Sequence, residues 1–201
     1  MVYGVGIYDG NEPTKGNPAY KCWTNILERC YSPRSLVKRP SYKNVSVCTE
    51  WKTYSNFKTW YDKNYIDGYE IDKDLLSPSQ LVYSPATCIF VPKLVNMCIN
   101  DGGSNAVLGV RYKNKNKDMK NEHTKPYCSE ISKYNKKIHI GYYHTEYEAH
   151  LAWQHEKIKY LNELIATYEG IVDRRIIDAI GELVTTISDD IICTRITKYK
   201  R

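Results

Sequence analysis

Four of the chain's five histidines, His139, His144, His150 and His155, fall in or just after one stretch, "IHIGYYHTEYEAHLAW", residues 138–153. Imidazoles at this density raise the question of a metal centre or a general base. Their spacing works against both. His150 and His155 are five residues apart on a helical pattern, about 140° around the axis, so they do not converge as ligands at i and i+4 do. His144 precedes a helix-capping Thr145, and His139 sits on a strand. Of the four, only His139 is assigned a functional role. The rest of the ionisable chemistry is sparse, and residues 1–122 hold no histidine at all. Asp72 and Asp74 flank Lys73, and with Asn96 they offer the oxygen donors that Mg²⁺ takes. The competing reading is a charged turn and an ordinary helical asparagine. It is preferred, because a metal site demands a complete ligand set. The seven cysteines, Cys22, Cys30, Cys48, Cys88, Cys98, Cys128 and Cys193, are scattered, odd in number and without a C-x-x-C pair. That is the pattern of reduced thiols. Cys30, Cys48 and Cys88 read as core residues rather than zinc ligands, so no metal is expected.

The formal charge of +6 equals the excess carried by residues 105–145, where nine Lys/Arg stand against three Asp/Glu. A basic patch of this kind is the footprint of a polyanion binder. It is equally the footprint of a solvated loop, and "YKNKNKDMKNEHTK" has that character; charge alone does not choose. No apolar run approaches the ~20 residues that span a bilayer, and the N-terminus lacks a basic segment leading into an apolar one. The expectation is a cytoplasmic protein with no membrane partner.

The elements that position these residues follow from periodicity. Residues 1–19 read as an irregular arm rich in Gly, Pro and Asn. A helix is predicted over residues 20–31, with Trp23, Ile26, Leu27, Cys30 and Tyr31 on one stripe. "SPRSLVKRPSYKN" reads as a basic loop, "VSVC" as a short strand, and the segment after Thr49 as a second helix with Thr49 as N-cap. "GYEIDKDLL" is a strand or turn. Cys88–Val91 is a strand, and Pro92 opens a helix running to about Asn100. The Gly-Gly pair in "NDGGSN" marks a domain boundary at 100–105. Three strands follow, in "VLGVRYKN", "KPYCSEISKY" and "KKIHIGYYH", the last two joined by a tight turn at Tyr134–Asn135. "TEYE" is a capping box that starts a long helix at Thr145, and Ala149 and Ala152 let it lie close on a sheet. A further amphipathic helix and a basic tail, "TKYKR", end the chain. The predicted class is α+β: a small N-terminal module over 20–101, a three-stranded antiparallel sheet packed on one helix over 105–168, and a helical tail over 169–201.

Side chains alternate along a strand, so each strand has two faces. If the apolar set Val110, Tyr112, Ser129, Ile131, Ile138 and Ile140 faces the helix, the other face collects Arg111, Lys113, Glu130, Ser132, Lys137 and His139, with Cys128 and Gly141 in line. That surface is polar and mainly basic. A sheet of this width can enter the major groove of B-DNA, where Arg and Lys meet phosphates or guanine edges and Glu accepts from a cytosine amino group.

The run "LGVRYK … YCSEI … KKIHIGYYHTEYEAHLAW" resembles the AP2 (ERF-type) DNA-binding domain, over residues 105–168. The resemblance implies a three-stranded sheet lying in the major groove of double-stranded DNA. It places Arg111, Lys113, Glu130, Lys137 and His139 toward DNA, and Trp153 where a helix aromatic touches the DNA backbone. Leu108 and Ser132 stand where that family usually has arginines, and His139 where it has a tryptophan; these departures bear on sequence preference rather than on docking. The loop "NKNKDMKNEHT" is longer than the family's. The N-terminal segments "WTNILERCY", "IDKD" and "YSPATCIFVPKLVN" resemble a degenerate HNH, homing-endonuclease-like module of phage proteins. Where that family has its histidine base, this chain has Lys73. The implied function is sequence-preferring DNA binding of phage or mobile-element type. A metal-dependent endonuclease or nickase using Asp72, Lys73, Asp74 and Asn96 with Mg²⁺ is the alternative, and binding of a host protein is a third.

Overall fold

A computed structural model describes residues 1–99, 107–113 and 125–198. The chain is α+β and divides into two compact units between Pro92 and Lys93. That division lies ahead of the Gly-Gly pair, and the helix expected to close the N-terminal module belongs to the second unit. Residues 100–106, the long basic loop at 114–124 and the last three residues of the tail lie outside the described residues.

In the first unit, α1 (Pro18–Tyr31) begins on a proline that needs no N–H partner, and the Asn17 side chain accepts from Tyr20 N at 3.0 Å. Its stripe of Trp23, Ile26, Leu27 and Cys30 is buried, as the spacing predicts. The segment read as a basic loop instead forms a short helix, α2 (Pro33–Lys38), and a 3₁₀ turn, each opened by a proline. The predicted helix after Thr49 is broken. A 3₁₀ turn spans Glu50–Lys52, and α3 (Tyr54–Asn64) starts after Thr53, with no side-chain cap at either threonine. The break lets Ile7 pair with Thr53, so part of the N-terminal arm is stitched to the module. β1 (Ser46–Val47) runs parallel to β3 (Val82–Tyr83), while β2 (Tyr69–Asp72) and β4 (Ile89–Pro92) pair antiparallel. The core is largely aromatic: Trp23, Trp51, Tyr54, Phe57, Tyr61 and Phe90 pack together, and Trp23 Nε1 donates to Trp51 O at 2.6 Å.

The second unit begins with α4 (Lys93–Ile99). Its sheet has the order β5 (Val110–Tyr112), β6 (Tyr127–Lys133), β7 (Lys136–Tyr143), all antiparallel. Tyr134 and Asn135 both have positive φ, 51° and 63°, the geometry of the two-residue turn that matches strand twist. α5 (Glu146–Tyr168) crosses one face of the sheet, and α6 (Arg174–Ile192) packs along α5. The capping box forms as read: Thr145 Oγ1 accepts from Glu148 N, and Glu148 Oε2 accepts from the N–H groups of Thr145 and His144. The start of the tail is not free. Thr197 is buried, and the Gln154 amide donates to Arg195 O and Thr197 Oγ1. Among the described residues no helix is long and apolar enough to cross a membrane.

Candidate functional site

Cross-strand partners share a face, so the register assigns the sheet's two sides. Val110, Ser129 and Gly141 are opposite one another, as are Tyr112, Tyr127 and Tyr143, and Ile131 is opposite Ile138. This side meets α5, and Val110, Ser129 and Ile131 are buried. The other side carries Arg111, Cys128 and Tyr142, then Glu130 with His139, then Ser132 with Lys137.

One irregularity shapes that outer side. Between Ser129–Gly141 and Glu130–His139 the register shifts, leaving Ile140 as an extra residue in β7. A bulge of this kind reverses the alternation beyond it. Gly141, expected beside His139, therefore joins the helix side, and Tyr142 takes the outer position. Ile140 loses its cross-strand partner, and Ile138, on an edge strand, stays 43% exposed instead of entering the core. Strict alternation did not reveal Tyr142, and the sequence signal for the bulge is faint: a glycine beside two tyrosines.

On this face Arg111 Nη2 bonds Glu130 Oε1 at 2.8 Å and approaches Cys128 Sγ at 3.9 Å. The guanidinium holds the Glu130 carboxyl below the usual carboxylate range, against a smaller opposing effect of burial. Cys128 Sγ lies 3.3 Å from His139 Nδ1 and 3.6 Å from Glu130 Oε1. Burial, with the Glu130 charge second, pushes this thiol's pKa up. Lys113 Nζ sits 4.1 Å above the Tyr142 ring, and Tyr142 touches His139 with centroids 4.5 Å apart. Arg111, Lys137, His139 and Tyr142 are exposed; Lys113, Glu130 and Ser132 are half-buried. Ser132 also borders a pocket with Leu94, Met97 and Tyr160, so it lies at the margin of the face.

Trp153 is not on a surface that could touch DNA. It is 1% exposed, on the α5 side of the sheet. Gly109, at φ 71°, lacks the side chain that would fill the indole's place: a Cβ there would lie 2.0 Å from Trp153 Cδ1. The indole also stacks on His150 at 5.3 Å. Its helical spacing is that of a core residue, and the structure uses it as one.

The nuclease set is not assembled as a metal pair. Asp72 Oδ1 accepts from Asp74 N at 2.8 Å and Leu75 N at 2.7 Å, so the carboxylate closes a turn. Lys73 is 3% exposed, its ammonium bound to the Asp74 carboxylate and lying near the Tyr83 ring. Asn96 belongs to α4, in the other unit. Burial pushes the thiols of Cys22, Cys30 and Cys88 up to about 12, so they stay protonated at neutral pH; Cys30 and Cys88 are core residues as expected, while Cys48, expected with them, and Cys22 are only partly buried against the core. Among the described residues the one group of three or more candidate metal ligands in mutual reach is Cys128, Glu130 and His139.

His150 is fully buried and its role is structural. Nδ1 lies 2.9 Å from Leu108 O, an acceptor, so it carries the proton; Nε2 accepts from Thr197 N at 2.9 Å. Its two contacts join the start of β5, α5 and the C-terminal segment.

No family model matches the chain, and neither a curated protein nor a solved structure matches it.

Proposed function

We propose that the outer face of β5–β6–β7 binds double-stranded DNA in the major groove, and that the chain is a sequence-preferring DNA-binding protein of the AP2-like, phage or mobile-element kind, acting in the host cytoplasm where DNA is reachable. One observation carries the reading. Arg111, Lys113 and Lys137, with Tyr142 and His139 among them, share the sheet face turned away from α5, and among the described residues Glu130 is the single carboxylate that the register puts on it. Three strands at ~4.8 Å spacing are about 10 Å across, against a groove about 12 Å wide. Cations interleaved with aromatic rings suit phosphates and base edges together.

The test is fluorescence anisotropy of the full chain with duplexes selected from a random library, at several salt concentrations. The expected result is binding whose logarithmic salt slope falls by about one for Lys137→Ala. Arg111→Ala is expected to weaken binding more, because it also leaves Glu130 facing DNA without its partner. Wild-type affinity in both variants, or no selected duplex, overturns the reading. So does a host-protein complex that survives nuclease treatment and needs the same face.

A further inference from the structure

We propose that Cys128, Glu130 and His139 form a binding site for a transition-metal dication of the Zn²⁺ type, built into the outer face of the sheet. The sequence does not display it. A Cys-x-Glu pair on β6 and a histidine on β7 make no zinc spacing, and the bulge at Ile140 is what brings His139 opposite Glu130.

The geometry fits one small ion. Zinc takes sulfur at about 2.3 Å, imidazole nitrogen at about 2.0–2.1 Å and carboxylate oxygen at about 2.0–2.2 Å, so in a tetrahedron the sulfur lies about 3.6 Å from either neighbour. Here Sγ stands 3.3 Å from His139 Nδ1 and 3.6 Å from Glu130 Oε1. All three donor atoms lie within 4.8 Å of one another. The donor set, one thiolate, one imidazole and one carboxylate, is one that zinc and cobalt accept, and it leaves a fourth position for water. The three side chains come from two hydrogen-bonded strands, so little chain entropy is lost on closing round an ion.

The binding step balances simply. The metal takes the place of the thiol proton, which leaves to water as the Sγ–metal bond forms. His139 Nδ1 and Glu130 Oε1 each donate a lone pair. Arg111, which holds both Glu130 and Cys128, is the cation that must give way. Its side chain is 53% exposed, so it swings into solvent and opens the route to the buried sulfur. Binding thus adds one positive charge to the face and releases Arg111. On the reading of this face as a DNA-binding surface, a bound metal tightens DNA binding; the site itself rests on geometry alone.

The experiment uses the full reduced chain and Co²⁺ as a spectroscopic probe, without DNA. The expected result is one Co²⁺ per chain, with a thiolate-to-cobalt charge-transfer band and the visible intensity of four-coordinate cobalt, both removed by Zn²⁺. Cys128→Ser loses the charge-transfer band. His139→Ala, an exposed position that leaves the core intact, and Glu130→Gln weaken binding by more than the roughly 10–100-fold that loss of an outer-shell partner costs. Arg111→Ala tightens it, because the competing cation is gone. Absence of the band, or a band that persists in Cys128→Ser, overturns the site. Zn²⁺ is then added to the anisotropy assay: metal bound without any duplex binding leaves the site standing and removes the DNA reading, while tighter DNA binding supports both.

Discussion

His150 makes the stability of the second unit depend on pH in a window where few other groups act. The imidazole is neutral in the folded chain because its two nitrogens have opposite partners: Leu108 O only accepts, and the Thr197 N–H only donates. Protonating Nε2 sets two donors head to head at 2.9 Å inside a fully buried site. Burial pushes the pKa below 6.5, more than the opposing hydrogen bond to Leu108 and the charges of Asp190 and Glu146 raise it. In the unfolded chain the same histidine titrates near 6.5. Below that pH the unfolded state binds a proton that the folded state refuses, so stability falls as pH falls. If the folded imidazole stays neutral throughout, the loss between pH 7 and pH 5 is about 2 kcal/mol, and the slope cannot exceed about 1.4 kcal/mol per pH unit. The carboxyl groups with lowered pKa, such as Glu130, Glu156 and Asp173, act at lower pH. Urea denaturation followed by circular dichroism, at half-unit steps from pH 7.5 to pH 5, measures the effect. His150→Phe, which cannot titrate, should be less stable at pH 7 and flatter across the window. An equal slope in wild type and variant refutes the assignment.

Two further outcomes follow from local geometry. Gly109→Ala places a methyl 2.0 Å from Trp153 Cδ1 at φ 71°; crowding and the left-handed backbone together should cost about 2–4 kcal/mol, read as a lower urea midpoint, and an unchanged midpoint would show that the indole is not seated there. Thr145→Ala removes the acceptor for Glu148 N and should cost about 1 kcal/mol, with faster amide exchange confined to the first turn of α5.

Much of the second unit was legible because its signals are local. Alternation gave β6 and β7, the turn chemistry at Tyr134–Asn135 gave their hairpin, and Thr145 with Glu148 gave the start of α5 to the residue. The first unit was harder. β1 and β3 are two residues each, and their paired residues are 36 positions apart, which no periodicity records. The break at Thr53 is set by pairing with Ile7, again a distant partner. At the candidate site the sequence supplied the outward set Arg111, Lys113, Glu130, Lys137 and His139, because alternation and charge agree there. The AP2-like resemblance, not the helical spacing, misplaced Trp153, whose burial depends on what Gly109 lacks. Alternation missed Tyr142, since a bulge changes which residues share a face without changing any residue's own preference.

Arg111 is the point at which the two proposals for this face meet. Its bond to Glu130 at 2.8 Å has good geometry, yet with the guanidinium side chain 53% exposed and the carboxylate side chain 26% exposed, a pair of this kind contributes only about 0–1 kcal/mol. A phosphate therefore competes for Arg111 at little cost, and a metal ion competes for Glu130 at little cost. The two exchanges push the same way: each separates the pair, and a cation on Glu130 leaves Arg111 free for an anion. A rigid, buried ion pair at this position would have opposed both. Lys137 offers the contrast, because it is exposed and makes no ion pair among the described residues; its charge reaches Glu130 only as a minor influence beside that of Arg111, so its contribution to DNA binding should change far less than that of Arg111 when metal is added. Comparing the metal response of Lys137→Ala with that of Arg111→Ala separates coupling through the displaced arginine from a general gain in positive charge. The first predicts that the response is lost only in Arg111→Ala; the second predicts that it survives in both.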